Sequence, residues 1–368
     1  ISAASEGEGN RKAERGNITI KVQKLTLNGE IETSTKKGQG GYIESSSQGA
    51  SDAGNITITA SEYIHIYDNS RILSIAEGTG DAGQIEIYVG AKKENMITLV
   101  NAEDTILDRD IPVPKDQTGE LVITQGEIST STTGTGNGGD ITIATSRLEL
   151  KNKATISASA ISETDDTTMS QFQLRNQDNS ASADQKVRRA GSIIVGTRQL
   201  DMVDSTISTE SQNAEGGNIL IGVKEVVSGR RGKRIVNSRI TASVEGGTGK
   251  GGNVEILGKP QYLILDNTDV IAKADEGQGG RININARAFI PSLDSEVSAS
   301  SRQSADGQVR IDSAQIDVEN ISLLPGRTVD ASAMIKDCVA LESEEEWSIV
   351  QVGDEIVTRK DDRTGCVK

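Results

Sequence analysis

A short unit recurs along this chain, and it is written most clearly at 136–159, GNGGDITIATSRLELKNKATISAS. A Gly/Asn/Asp turn (Gly138, Gly139, Asp140) leads into a first alternating segment with Ile141 and Ile143. A second segment carries Leu148 and Leu150, and after a polar corner a third carries Ala154, Ile156 and Ala158. Variants open at Gly16, Gly54, Gly83, Gly191, Gly217, Gly252, Gly280 and Gly307, each followed two residues later by Ile or Val. Where no insertion intervenes, equivalent apolar positions lie about 26 to 29 residues apart, the period of stacked-repeat architectures. The repeat therefore constrains the fold before any active site is considered.

Alternation of apolar and polar residues makes each segment a strand with one buried face. Three such strands with tight corners form one triangular turn of chain, which cannot bury its apolar face alone. Stacking turns at the strand spacing of about 4.8 Å places like residues over like. Ile20, Ile58, Ile87, Ile143, Val195, Ile221, Ile256, Ile284 and Ile311 then form one internal ladder. At the corners, Gly supplies backbone angles that a side chain forbids and Asn tolerates the left-handed region. Small residues (Ala158, Ala242, Ala272, Ala299) fit where the coil narrows. Parallel crossovers favour a right-handed coil. The expected fold is all-β, a right-handed parallel β-helix (β-solenoid) with a C-terminal cap.

The repeats span 1–320, with insertions at about 90–120, containing Pro112 and Pro114, and at 160–189, rich in Ser, Asp and Gln. The unit opening at Gly16 takes Ile31 to Thr33 as its third strand, and 38–53 reads as an inserted turn. Residues 321–368 depart from the pattern. Pro325 and Gly326 break it, 329–338 reads as a short helix, and 347–352 and 355–357 read as paired strands. This segment is expected to cap the open end, with the single Trp347 as a plug. The opening stretch ISAASEGEGN is polar and resembles the tail of a repeat, so the chain is expected to start within a longer protein.

Composition agrees with a narrow core. Hydrophobic residues are 34% and aromatics 2%, whereas Gly numbers 39 and Pro 5 of 368. The net charge of -15 disfavours nucleic acid and anionic membrane as partners. No stretch approaches the roughly 18 apolar residues of a membrane helix, so no membrane insertion is expected. The two cysteines, Cys338 and Cys366, lack metal-type spacing. They form a disulfide if the chain is exported, with free thiols as the alternative.

The GxGxGG[ND]IxIxA…LxL…AxISAS unit resembles the C-terminal passenger repeats of filamentous-haemagglutinin-like large exoproteins, cyanobacterial ones especially. The closing Val329 to Ser332, Cys338 and Gly365-Cys366 are similar to how many of those chains end. The resemblance implies a right-handed parallel β-helix, secretion by the two-partner (TpsA/TpsB) route through an outer-membrane TpsB-type transporter, and an adhesin-like role at the cell surface. The family's N-terminal secretion domain has no counterpart here.

Other motifs reduce to structure. GxGxxG occurs at Gly78, Gly80 and Gly83, at Gly134, Gly136 and Gly139, and at Gly247, Gly249 and Gly252. A strand follows each loop where a dinucleotide site needs a helix, so these are corners and no cofactor is expected. The turns lack the nine-residue period of calcium-binding repeats, and no metal ligands are assigned. His65, the only histidine, lies between Ile64 and Ile66 and points outward. Glu86 and Glu255 also point outward, on equivalent strands, but Thr142, Ile194 and Leu220 occupy that position in the units between them. No catalytic residues are assigned. Asn17, Asn55 and Asn320 stand in glycosylation-type triplets, the first two at repeat corners.

One basic run, Arg230, Arg231, Lys233 and Arg234, occupies a corner insertion and is a candidate contact for acidic polysaccharide or an anionic surface. The expected function is non-enzymatic. A rigid rod presents loops 90–120, 160–189 and 228–234 to glycans or cell-surface receptors. The alternatives are a β-helix polysaccharide lyase or hydrolase, which needs converging carboxylates, and a structural surface-layer protein.

Overall fold

In the computed structural model, the residues described are 1–6, 16–29, 40–90, 96–98, 110–114, 118–161, 188–224 and 235–313, with the strands 347–352 and 355–360. The chain divides into two units, Ile1–Gln315 and Ile316–Lys368. All regular structure among the described residues is β, with no helix. The first unit holds two parallel sheets, of 13 and 11 strands, which the chain visits alternately.

The 13-stranded sheet takes the first segment of each repeat in order, from Ile18–Leu27 through Ile141–Lys151 to Gln308–Asp312. Its register puts all nine residues of the expected ladder, Ile20 to Ile311, in one column. From Ile58 to Ile284 these side chains are buried. Each such burial contributes about 1.5–3 kcal/mol, repeated at every coil.

The three separate strands expected per turn become two sheets. In Ile18–Leu27, Ile56–Tyr67, Ile141–Lys151 and Ile193–Val203 the first two segments run on as one strand. Buried hydroxyls support the bend between them: Thr145 Oγ1 donates to Arg147 O at 3.1 Å, and Thr197 Oγ1 to Gln199 O at 2.8 Å. The third segments form the 11-stranded sheet, from Ser2–Glu6 to Val297–Ser298. One of its members is Tyr42–Gly49, paired with Ser2–Glu6 and Arg71–Gly78. The stretch 38–53 is thus not an inserted turn; Ile43, in register with Ile72, occupies the position expected of Ile31. Residues 30–39, including Ile31, lie outside the described residues.

The corner glycines act differently from the sequence expectation. Gly54, Gly83, Gly139, Gly191, Gly217, Gly252, Gly280 and Gly307 all have ordinary negative φ. Instead, a Cβ on any of them would lie 1.7–2.2 Å from the carbonyl oxygen of the glycine one coil earlier. They are glycines because successive repeats touch there, backbone on backbone. The following Asn or Asp is not left-handed either. Asn17 Oδ1 accepts from Asn55 N at 2.8 Å, Asn55 Oδ1 from Gln84 N at 2.9 Å, and Asp140 Oδ1 from Ser192 N at 2.8 Å. Left-handed backbone occurs at the other corner, between the two sheets, at Asn69, Gln125, Asn152, Asp204, Asn237 and Asn267, with φ between 47° and 60°. Asn and Asp suit that region because their short polar side chains tolerate it.

Part of the insertion at 90–120 folds onto the first sheet. Pro112–Pro114 pairs antiparallel with Met96–Thr98. Ile111 packs with Ile194, Leu220 and Leu257, four buried residues on the sheet's outer side. Gly196 makes room for this: a Cβ there would meet Pro112 O at 1.9 Å and Ile111 Cγ2 at 3.2 Å. The second unit contains the expected strand pair, Trp347–Val352 antiparallel to Glu355–Lys360. The expected helix at 329–338 lies outside the described residues.

Gly196→Ala should therefore lift the insertion while leaving the stacked coils intact. We expect a loss of about 1–3 kcal/mol and faster proteolysis within 91–117, with the parallel-sheet circular dichroism unchanged. Unchanged proteolysis would show that the insertion is held by other means.

Candidate functional site

A polar groove of about 610 Å³ lies at the glycine corner of the later coils. It follows from which residue each coil places one before the stacked glycine. Three consecutive coils place Gly216, Gly251 and Gly279 there, lowering the floor. The coil before has Ala190 and the coil after has Asp306. One wall is built by Arg189, Glu215, Lys250 and Gln278, and the other by Asn218, Asn253, Arg281 and Gln308. The asparagines are tied into the stack: Asn218 Oδ1 accepts from Asn253 N at 3.2 Å and Nδ2 at 2.6 Å, and Asn253 Oδ1 accepts from Arg281 N at 3.0 Å. Arg189 is held by Glu215, with Nε and Nη2 at 3.2 and 2.9 Å from Oε2. Lys250 and Arg281 are exposed and have no carboxylate partner among the described residues.

A second polar constellation stands on the outer side of the 13-stranded sheet, at the second segments. Register aligns Lys24, Tyr63, Glu120, Arg147 and Gln199 in one row, and Thr26, His65, Val122, Glu149 and Asp201 in the next. Arg147 reaches Glu120 at 3.3 Å, Glu149 at 3.1 Å and Asp201 at 3.8 Å, while Lys151 pairs with Glu149. His65 points outward as expected. Its ring stacks on Tyr63 (4.3 Å, 22°), meets Tyr67 edge-on at 5.6 Å, and stands 3.9 Å from Glu120. Lys24 Nζ stands over the Tyr63 ring, 5.6 Å from its centre. Burial, and then the carboxylates of Glu120 and Glu149, hold the Tyr67 phenol above its ordinary pKa, which keeps it protonated.

Three carboxylates thus converge around one guanidinium. Glu86 and Glu255 do not converge: Thr142, Ile194 and Leu220 separate them in the register, and Glu255 is 2% exposed. No group of three or more His, Cys, Asp or Glu suited to a metal ion occurs among the described residues. Arg230, Arg231, Lys233, Arg234, Cys338 and Cys366 lie outside the described residues, as does most of 160–189. The groove is not among the sequence candidates. Its signal was the run of Gly doublets at 216–217, 251–252 and 279–280, each preceded by a residue of different charge. No family model, curated protein or solved structure matches the chain.

Arg147→Met would leave Glu120, Glu149 and Asp201 facing one another across adjacent coils. The expected cost is about 1 kcal/mol at low ionic strength. It should shrink in high salt, which screens the remaining repulsion. Thermal unfolding at two salt concentrations checks this; a salt-independent loss would mean that Arg147 acts by packing.

Proposed function

We propose that this chain is an adhesin-like segment of a secreted or cell-surface exoprotein. On this reading it is a right-handed parallel β-helix, capped by 321–368, that holds binding surfaces away from the cell. The observation that carries the reading is the persistence of register across insertions. Ile85, Ile141 and Ile193 are direct neighbours in the stack, although 90–119 and 162–187 intervene in the chain. A scaffold that keeps its register whatever is inserted is suited to presenting variable surface. Export through an outer-membrane TpsB-type transporter belongs to the same proposal.

The purified chain is expected to bind a subset of glycans or cell surfaces, with binding altered when 162–187 is replaced by a short linker. Circular dichroism should show the sheets intact in both. Absence of binding to glycan arrays and to whole cells would overturn the reading.

The enzymatic alternative is favoured by one observation, the convergence of Glu120, Glu149 and Asp201 at Arg147. It predicts cleavage products from an acidic or neutral polysaccharide, lost in Glu149→Gln. The presentation reading predicts none.

A further inference from the structure

We propose that the groove at the glycine corner binds an extended polysaccharide bearing uronate carboxylates, lying along the stack and spanning successive coils. This names a ligand class for the presentation reading and rests on it.

The direction comes from the construction. Each wall takes one residue per coil, so recognition groups recur at about 4.8 Å along the stack. An added peptide strand would instead run along a sheet edge and needs free backbone groups. Here those groups are already used. Gly216 N donates to Lys250 O at 3.0 Å, Gly251 N to Gln278 O at 2.9 Å, and Gly279 N to Ala305 O at 3.0 Å. The occupant is therefore read by side chains.

Those side chains define its chemistry. Lys250 and Arg281 stand on opposite walls without a carboxylate partner among the described residues. Each is a donor suited to a carboxylate, and the guanidinium suits it in bidentate form. The carboxamides of Gln278 and Gln308 add donors and acceptors suited to hydroxyls. The lining holds no aliphatic or aromatic residue, which disfavours lipid and aromatic ligands. Charge density narrows the class further. The chain carries a net charge of -15 and repels a densely charged polymer such as nucleic acid or a heavily sulfated glycan. Two local cations can hold a sparsely charged uronate chain. Glu215, paired with Arg189, and Asp306, at the floor's end, bound the site with negative charge.

The test is calorimetric titration of the full chain with oligomers in which uronate and neutral sugar residues alternate (hyaluronan oligomers), with dextran as the neutral probe. The double variant Lys250→Glu, Arg281→Glu reverses both free cations, and Lys21→Glu changes a remote exposed cation as a control. Matching thermal unfolding of all three proteins establishes that the fold is kept. We expect the unmodified chain and Lys21→Glu to bind the uronate in preference to dextran, with weaker binding at high salt. The double variant should lose at least tenfold in affinity. Equal binding by the double variant would overturn the groove assignment, as would absence of uronate binding by the unmodified chain. In the latter case, retained binding to cells would leave the presentation reading standing, whereas loss of both would end both.

Discussion

The structure depends on one column of backbone contacts. From Gly54 to Gly307, each repeat sets a glycine against the glycine carbonyl of the repeat before, at separations that leave no space for a Cβ. The apolar ladder supplies most of the driving force, but apolar ladders tolerate slippage and substitution. The glycine column does not. It sets how closely consecutive coils meet, and the isoleucines then stack in the register that this approach allows. The neighbouring third-strand column follows the same limit with Ser45, Ser74, Thr130, Ala158, Thr209, Ala242, Ala272 and Ala299, none larger than Thr.

Polar groups inside this corner are matched to the column. Ser45 Oγ donates to Gly16 O at 3.0 Å and accepts from Gly54 N at 2.9 Å; Ser74 repeats the arrangement with Gly54 O and Gly83 N at 3.2 and 2.9 Å. At the other corner, Ser205 N reaches Ser238 Oγ, Ser238 N reaches Thr268 Oγ1, and Thr268 N reaches Ser295 Oγ. Consecutive repeats therefore satisfy one another's backbone groups. The same economy of space shapes the outside. Gly196 admits the insertion's Pro112 carbonyl, and the glycines at 216, 251 and 279 lower the floor of the groove. A surface generated this way varies in chemistry from coil to coil without disturbing the stack beneath it.

Much of this was legible in the sequence. The isoleucine ladder, the small third-strand residues and the structural character of the GxGxxG loops follow from alternation and period alone. The strand Tyr42–Gly49 did not, because its inward positions include Ser45 and Ser47, which are 0% and 2% exposed. Alternation rules count apolar residues and miss a hydroxyl that is fully hydrogen-bonded inside. Ile194 and Leu220 broke the alternation for the opposite reason: the insertion covers the outer face they occupy. The role of the corner glycines was misread because close approach and special φ leave the same residue in the sequence. The groove was not legible because it is made from intact repeats, whereas binding surface is expected of the insertions.

The central claim is that contact between successive repeats, not backbone angle, demands glycine at this corner. Equilibrium unfolding of Gly191→Ala beside Gly41→Ala tests it. In Gly191→Ala the new Cβ falls 1.8 Å from Gly139 O, whereas at Gly41 the nearest atom is 3.6 Å away. The account predicts a loss of about 1–3 kcal/mol or more for Gly191→Ala and a neutral or slightly stabilising Gly41→Ala, up to about 1 kcal/mol. Equal effects at the two positions would contradict it.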